Sequence, residues 1–376
     1  MKSERLFFEL LQVGVGNRRQ LSVEPTPEQW NELLDISQKQ ALLGIAFAAI
    51  DRLPEEQWPP RTMRLQWGMQ TQKYVTRNNE LGLLCQEVAV RFANSGFWCC
   101  IRKGQGNLAN YPEWLKDKRA PGDIDVWLVP NKETEKYKGV DPKRPIRTVV
   151  QFCQKVQPAE KVGYIHMDFP VWKDTEIEVH IRPSFLCSPL HNYRLQKWFR
   201  SQAKCQNTEY CGFPIPSNQF NAVFQLLHIY KHLFEEGIGL RQLMDYYYVL
   251  KNVTAEERQK VMPVLKSLAV DKFAAAVMYV LREVFECYNA QPSWMICKPD
   301  EKRGEHLLKE ILIAGNFGKY DARNGDMEHE GHGGRYWRKT KRACRLFALY
   351  PHEALWQPWF MVYHMAWRVL KLWRFE

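Results

Sequence analysis

Two aspartates stand two positions apart in residues 119–128, which read Arg-Ala-Pro-Gly-Asp-Ile-Asp-Val-Trp-Leu. Gly122 lets the backbone turn sharply, and the alternating apolar residues that follow predict a buried strand. Because side chains alternate along a strand, Asp123 and Asp125 point the same way, about 7 Å apart. Two such carboxylates repel each other unless a cation lies between them, and Mg²⁺ prefers oxygen ligands. The pattern indicates either a metal site that grips phosphates or a solvated strand edge.

A glycine turn follows the short apolar run at residues 97–101, which itself predicts a strand. The turn reads Arg-Lys-Gly-Gln-Gly from residue 102 to residue 106. Glycines let a backbone approach a phosphate closely, and the amides after them can donate to it. A lone Gly-x-Gly is also an ordinary turn, so this segment gains meaning only from its neighbours.

A later strand, predicted over residues 175–181, carries a third acidic group. Glu176, Glu178 and His180 share one face of this strand, because residues two apart lie on the same side. A carboxylate on a strand beside the two aspartates would complete a metal site. The alternative is an ordinary amphipathic strand with a half-exposed face.

Two predicted helices farther along carry polar residues at helical spacing. The first begins at Ser217, a residue type that favours a helix start, and holds His228 and His232 four residues apart. No glutamate stands between them as in His-Glu-x-x-His, which argues against a zinc protease. Arg241 and Asp245 on the next helix have the i, i+4 spacing of a salt bridge.

Length, charge and cysteine content limit the class of protein. The chain has 376 residues, of which 45% are hydrophobic, and this suits two or three folded modules. Ten cysteines occur without a Cys-x-x-Cys pair, which indicates reduced thiols and no zinc ribbon. The N-terminal segment is amphipathic, and no run of apolar residues is long enough to span a membrane. We expect a cytoplasmic protein whose net charge of +11 attracts an acidic partner.

Three of these pieces together resemble the nucleotidyltransferase superfamily that includes DNA polymerase β. Its pattern is an apolar strand with a Gly-Gly or Gly-Ser turn, Asp-x-Asp on the next strand, and a third acid on a later strand. The sequence is especially similar to a bacterial family of uncharacterised nucleotidyltransferases. The motifs that match this family are Lys103-Gly104, the Arg-x-x-Gly-Asp-Ile-Asp run at 119–125, Glu178-Val-His180, the stretch from His228 to Asp245, and Gly315-Asn-Phe-Gly318. The sequence departs from the superfamily pattern at Gln105, where Ser or Gly is usual, and at Glu178, where Asp is commoner.

The resemblance implies transfer of a nucleoside monophosphate from a nucleoside triphosphate (NTP) to a hydroxyl or phosphate acceptor, with release of pyrophosphate. Two Mg²⁺ or Mn²⁺ ions about 3.5–4 Å apart would hold the attacking and leaving oxygens in line. Asp123 and Asp125 would ligate both ions. Glu178 would hold the catalytic ion or take the acceptor's proton.

The resemblance also implies which residues contact the nucleotide. The amides after the first glycine of the turn would cradle the triphosphate, and basic side chains beside it would neutralise its charge. The candidates for nucleotide binding are Lys103, Gly104, Gln105, Arg119 and Gly122. Further candidates for the cleft are His180, His228, His232 and Arg241.

The fold class implied is α+β, with a small mixed β-sheet as the nucleotidyltransferase core between N-terminal and C-terminal helical regions. Residues 1–96 are predicted to be helical, residues 97–215 to form the catalytic core, and residues 216–325 to form a helical domain that closes the cleft. Residues 326–376 form a basic, tryptophan-rich tail.

Two other functions fit the same motifs. A glycosyltransferase also uses Asp-x-Asp with Mn²⁺ but does not need the Lys-Gly turn or the acid-x-His pair. An inactive nucleotidyltransferase fold could bind nucleic acid or a protein partner instead. The sequence leaves the acceptor open among small metabolites, polysaccharide precursors, RNA and protein hydroxyl groups.

The tail concentrates the positive charge of the chain. Residues 335–376 hold nine Lys or Arg against two Glu, a net charge of +7, which leaves +4 for the rest. Tryptophans and other apolar residues recur between these cations at helical spacing. The pattern favours either a helix docked on the protein's own core or an interfacial helix in peripheral contact with an anionic membrane. Pro351 and Pro358 are predicted to divide the segment into short helices.

Overall fold

The computed structural model describes residues 2–131, 144–158, 161–203, 208–287, 292–325, 327 and 329–376. A four-stranded mixed sheet lies among helices, which confirms the predicted α+β class. The strands of this sheet are β1 (Phe97–Ile101), β2 (Ile124–Pro130), β3 (His166–Trp172) and β4 (Thr175–His180). A separate pair of antiparallel strands consists of β5 (Thr208–Tyr210) and β6 (Phe213–Ile215).

The central sheet has the strand order β1-β2-β4-β3. β2 pairs antiparallel with β1 and parallel with β4, while β3 and β4 form an antiparallel pair. A parallel pair needs a crossover connection, and the helix at Pro145–Val156 and the strand β3 lie in that connection. The register sets Asp125 opposite Glu178. Two acidic residues 53 positions apart in sequence therefore meet at one end of the sheet.

Four helices precede the sheet. Thr26 caps the second one with a capping box to Gln29. Ala41 adopts a φ of 53° and separates the second helix from the third. The helices are α1 (Lys2–Gly14), α2 (Pro27–Lys39), α3 (Leu43–Ile50) and α4 (Arg61–Asn94).

Short helices connect the strands, and a helical region follows them. Within the core these are α5 (Gln105–Leu108), α6 (Glu113–Lys116), α7 (Pro145–Val156) and α8 (Pro189–Gln202). The helical region consists of α9 (Asn218–Glu235), α10 (Leu240–Asn252), α11 (Ala255–Ser267), α12 (Asp271–Phe285) and α13 (Glu301–Ala314). The hydroxyl of Ser217 accepts from the amide of Phe220, so the predicted start of α9 is confirmed.

Two hydrophobic clusters hold these elements together. The first joins α1–α3 with α9–α13, so the N-terminal helices and the helical region pack in one core. The second lies on the sheet and includes α7 and the C-terminal half of α4. The long helix α4 reaches both clusters, with Trp67 in the first and Phe92 in the second. The four-part division of the chain stays a prediction, although its first and third parts share this core.

The tail forms two helices, α14 (His332–Leu346) and α15 (Pro351–Val369). Pro351 stands in the first turn of α15, where proline is favoured, but Pro358 lies inside this helix. The predicted break at Pro358 is therefore wrong. Trp367 and Trp373 are buried against the sheet, and the Trp367 indole donates to the Glu376 carboxylate. This packing fits the prediction of a tail docked on the protein's core.

None of the helices in the described residues is long and apolar enough to cross a membrane.

Candidate active site

A cavity of about 300 Å³ lies between the sheet and the helices α9 and α10. The glycine turn after β1, the loop before β2 and the strand β4 form one side of it. Residues of α9 and α10 and the ring of Phe317 form the other side. Every predicted site residue except Gln105 lines this cavity.

Three carboxylates converge in the cavity. One ligand oxygen from each of Asp123, Asp125 and Glu178 lies within 4.8 Å of the other two. Asp123 is exposed and stands just before β2, whereas Asp125 lies within the strand and is only 2% exposed. The parallel register of β2 and β4 brings in Glu178. The structure therefore brings the three predicted metal ligands together.

Asp125 has two close cationic or hydrogen-bonding partners. Lys103 Nζ lies 2.5 Å from Asp125 Oδ1, and His180 Nε2 lies 2.7 Å from the same oxygen. Burial alone would raise the pKa of Asp125, but Lys103 and His180 outweigh it and hold that pKa well below its ordinary range. Asp125 is thus an ionised carboxylate at neutral pH.

The other two carboxylates are disfavoured as anions. The charge of Asp125, followed by burial, raises the pKa of Asp123. Burial, followed by the charge of Asp125, raises the pKa of Glu178 from 4.5 to about 8. A divalent cation between the three carboxylates would favour their anionic forms and so lower the pKa values of Asp123 and Glu178. The donor set of three oxygens fits Mg²⁺ or Mn²⁺.

His166 was not predicted as a site residue, yet it stands directly beside Glu178. Its Nδ1 lies 3.4 Å from Glu178 Oε2, and the β3–β4 register places it opposite His180. His166, Glu178 and His180 form a second group of potential metal ligands among the described residues. Alternation along β3 places His166 on the same face as Asp168, but only the pairing of β3 with β4 shows that His166 meets Glu178 and His180.

The glycine turn has the conformation that its sequence requires. Gly104 adopts a φ of 49°, and a Cβ on Gly106 would lie 2.3 Å from the Ile101 carbonyl oxygen. The amides of Gly106 and Asn107 donate to carbonyls inside the turn. The side chain of Gln105 donates to Asn78 of α4 and does not line the cavity, while the contact of Gln105 with the nucleotide stays a prediction. Its backbone amide and Gly104 keep their predicted role.

Gly122 is not required for backbone geometry, contrary to the expected sharp turn. It lacks a positive φ, and a Cβ built on it would meet no protein atom within 4 Å. Gly122 is exposed and lines the cavity. The open space beside it allows a ligand to approach the backbone.

Arg119 is bound by a carboxylate from the helical region. Its Nε and Nη2 each lie 2.7 Å from one oxygen of Asp245, and the Tyr111 hydroxyl donates to the same carboxylate. All three side chains are buried. The predicted role of Arg119 in neutralising the triphosphate stays a prediction, but the structure shows a second role in joining the loop before β2 to α10.

Arg241 has no ion-pair partner within 4 Å among the described residues, although a salt bridge to Asp245 was the simplest expectation. Its Nε is buried without a hydrogen bond, and its guanidinium lies 5.5 Å from the centroid of the Phe317 ring. Burial and then the charge of Arg119 lower the pKa of Arg241 to about 10, so it stays protonated at neutral pH. Arg241 presents an uncompensated positive charge to the cavity.

The two histidines of α9 lie on the same wall of the cavity. His232 Nδ1 lies 2.6 Å from Glu236 Oε1, and the rings of His228 and His232 are 4.3 Å apart. Burial lowers the pKa of both histidines. They belong to neither group of three potential metal ligands found in the described residues.

Arg102 and Lys231 are further residues that sequence reasoning did not mark. Arg102 is fully buried behind the carboxylates, where its guanidinium lies over the Phe224 ring and donates to the Pro183 carbonyl. Lys231 lines the cavity from α9. The sequence shows Arg102 beside the glycine turn, but it does not show that this side chain is buried.

The cavity thus combines carboxylates, a glycine turn and basic side chains. The sequence model of a family described as an uncharacterised nucleotidyltransferase matches residues 26–286. Because this match spans more than half of the chain, the protein belongs to that family of nucleotidyltransferases, as its motifs predicted.

One solved structure is also similar, an antigenic nucleotidyltransferase-like protein from Paracoccidioides brasiliensis. It is 16% identical over 56% of this chain and 95% of that chain, with a TM-score of 0.31. No curated protein matches the chain. The proposed roles of the site residues therefore rest on the geometry of this cavity.

The raised pKa of Glu178 predicts a pH dependence of stability in the metal-free protein. The folded state holds this proton between about pH 4.5 and pH 8, whereas the unfolded state releases it, so stability falls as pH rises through that window. Urea unfolding with EDTA should show a flatter pH profile for Glu178→Gln than for the unsubstituted protein. Adding Mg²⁺ should raise the melting temperature more at pH 8 than at pH 5. The exposed neighbour Glu176→Gln is the matched control, and identical profiles for both variants would contradict the assignment.

Proposed function

We propose that the protein catalyses metal-dependent transfer of a nucleoside monophosphate from an NTP to a hydroxyl acceptor, with release of pyrophosphate. The observation that carries this proposal is the convergence of Asp123, Asp125 and Glu178 within 4.8 Å in a cavity that also holds uncompensated positive charge. Family membership favours this reaction over glycosyl transfer.

Asp123, Asp125 and Glu178 would hold Mg²⁺ or Mn²⁺, whose role when bound is to neutralise the phosphate charge that develops during the reaction. The carboxylates come from two adjacent strands of a packed sheet, so their separation is set by backbone pairing. Lys103 contacts the most buried of them and keeps it ionised. The chain thus presents oxygen ligands without needing a large rearrangement of the backbone.

Basic groups around the carboxylates are placed to receive the triphosphate. Arg241 lines the cavity with a guanidinium that has no ion-pair partner within 4 Å among the described residues, which suits a phosphate oxygen. Gly122 leaves room for the ligand beside the backbone. Lys103 keeps its predicted role in neutralising the triphosphate once a metal ion takes its place at Asp125.

The proposed reaction is a single displacement at the α-phosphorus. The acceptor oxygen forms a bond to the α-phosphorus, and the bond from that phosphorus to the bridging oxygen of the β-phosphate breaks. Pyrophosphate leaves with the electron pair of that bond. The hydroxyl proton passes to Glu178 or to water.

An inactive fold that binds nucleic acid or a protein is the competing function. The convergence of all three carboxylates argues against it, because a binding module gains nothing from three neighbouring anions in a cleft meant for an acidic partner. Salt-dependent RNA binding without NTP turnover would favour this alternative.

Asp125→Asn should lower turnover of α-labelled NTP by at least about 100-fold, since it removes the most buried of the ionised groups at the reacting centre. The measurement is release of labelled monophosphate product and pyrophosphate in the presence of Mg²⁺. Asp168→Asn is the control, because Asp168 lies opposite Glu178 on β3 and its side chain is 67% exposed. Full activity of Asp125→Asn would contradict the proposed reaction.

Arg119 and Arg241 should respond differently to substitution. Arg119→Met should lower the free energy of unfolding by about 3–5 kcal/mol, because it leaves the buried Asp245 without its cation. Arg241→Met should not lower stability, since Arg241 has no ion-pair partner within 4 Å among the described residues, but it should raise KM for NTP about tenfold or more, the effect of one lost charged hydrogen bond. Urea unfolding and initial-rate kinetics separate the two. An unchanged KM in the Arg241 variant would remove it from the nucleotide site.

We also propose that the tail makes peripheral contact with an anionic membrane surface. Although the inner face of α15 packs on the protein, its outer face exposes large apolar side chains at helical spacing. Leu355, Trp359, Val362 and Val369 form this outer stripe, and Arg368, Lys371 and Arg374 are exposed at its C-terminal end. Apolar side chains flanked by cations suit the interface of an anionic bilayer.

Flotation with vesicles tests the membrane contact. We expect the full chain to float with phosphatidylserine-containing vesicles at low salt, and to float less in high salt or with phosphatidylcholine alone. Trp359→Glu should abolish flotation without loss of folding, whereas Leu83→Glu should not. Both residues are exposed, but Leu83 belongs to α4 and not to the tail. A full-length protein that stays in the soluble fraction at low salt would contradict the proposal.

A further inference from the structure

A second cavity, of about 280 Å³, adjoins the catalytic cavity. The two cavities share Ile165, His166 and Lys231 in their walls. Since His166 Nδ1 lies 3.4 Å from Glu178, the second cavity begins one imidazole ring away from the carboxylates. A molecule bound there would reach the reacting centre directly.

Aromatic rings form the main walls of the second cavity. The Phe185 and Phe360 rings are stacked with centroids 4.5 Å apart, and the Tyr164 ring meets Phe360 edge-on at 5.3 Å. These three rings hold one another in place, so the walls are rigid and apolar. Such walls suit a flat apolar ring rather than a flexible polar chain. The volume lies at the lower end of small-molecule pockets and is too small for a nucleic acid or a folded protein.

The charges in the second cavity are largely paired with one another. Glu235 lies 3.6 Å from Lys231 Nζ and 3.3 Å from Lys339 Nζ, so one carboxylate holds both ammonium groups. Glu353 accepts a hydrogen bond of 2.7 Å from the Cys187 amide. The cavity therefore offers no cluster of free cations to a phosphorylated ligand.

One polar group in the wall still needs a donor. Gln357 is 3% exposed and donates through Nε2 to the Phe234 carbonyl, but its Oε1 has no hydrogen-bond partner among the described residues. A buried acceptor without a donor is costly, but this oxygen is shielded by the protein, so a ligand hydroxyl would reach it only after the Gln357 side chain turns toward the cavity. The cavity thus combines apolar ring walls with one polar side chain that a hydroxyl group could satisfy.

We infer that the second cavity is the acceptor site of the proposed nucleotidyl transfer, and that the acceptor is a small uncharged molecule with a hydroxyl group on an apolar ring. This inference rests on the proposed function. The hydroxyl oxygen of this molecule, and not water or a hydroxyl group of a macromolecule, attacks the α-phosphorus. Pyrophosphate leaves as described above.

Binding is tested first, without nucleotide, by saturation-transfer NMR on the full chain. Phenol is the uncharged ring alcohol and phenyl phosphate its charged counterpart. We expect phenol to bind in the second cavity, whereas any binding of phenyl phosphate should be at the basic groups of the catalytic cavity and should not change in the variants below. Met361→Trp should fill the cavity and abolish phenol binding, whereas Met365→Trp, on the exposed side of the same helix, should not.

A second variant covers the case in which the larger side chain disturbs folding. Gln357→Leu keeps a similar volume and removes only the polar group, so phenol should bind at least about tenfold more weakly if Oε1 receives its hydroxyl. Phenol binding that is unchanged in both Met361→Trp and Gln357→Leu would overturn the assignment of the cavity.

Transfer is tested next, with each of the four α-labelled NTPs, Mg²⁺ and a metabolite extract separated by molecular mass. Label should appear in the low-mass fraction with the unsubstituted protein and with Met365→Trp, but not with Met361→Trp. Hydrolysis to the nucleoside monophosphate and pyrophosphate, in which water is the acceptor, should persist in Met361→Trp. Label that enters macromolecules equally with all three proteins would overturn the inference. If the unsubstituted protein turns over no nucleotide, the proposed function fails and the acceptor assignment fails with it, while the NMR result still decides whether the cavity binds ring alcohols.

Discussion

The parallel pairing of β2 with β4 is the contact on which the site depends. It sets Asp125 beside Glu178, although the two residues are far apart in the sequence. A carboxylate as deeply buried as Asp125 is tolerated only when it is paired and hydrogen-bonded. Lys103 and His180 satisfy that requirement from the turn after β1 and from β4 itself, and the Arg102 amide donates to the Asp125 carbonyl. The groups that compensate the charge of Asp125 therefore hold the adjoining ends of β1, β2 and β4 together.

A second buried charge pair connects the sheet to the helical region. Asp245 of α10 accepts both nitrogens of Arg119 and the hydroxyl of Tyr111, so the loop that carries Asp123 is held by a helix more than a hundred residues away. Arg241, one turn before Asp245, is left without a carboxylate. An unpaired buried cation destabilises a fold unless a ligand compensates it. The pairing of Arg119 thus explains both the rigidity of the loop and the positive charge of the cavity.

The local features of the fold could be predicted from the sequence, and the choice of partners could not. Alternation indicated the strands that carry Asp125 and Glu178, and capping residues marked the starts of α2 and α9. The i, i+4 spacing of Arg241 and Asp245 suggested a local salt bridge, but a distant arginine took the carboxylate. The side chain of Gln105 likewise donates to Asn78 of α4. In both cases tertiary packing decides which of several chemically equivalent partners is used. Proline inside α15 was wrongly read as a break, because packing against the sheet outweighs its helix penalty.

The two faces of α15 show why the tail belongs to the site. Residues on its inner face, at positions 353, 357, 360 and 364, line the second cavity, and their spacing of four, three and four is that of one helical face. Because Trp367 is buried on the sheet and donates to Glu376, the position of this face is fixed by the core that also holds β4. The wall of the second cavity and the carboxylate Glu178 are therefore positioned by the same packing. A change that loosens Trp367 would alter the second cavity and leave the pairing of β2 with β4 in place.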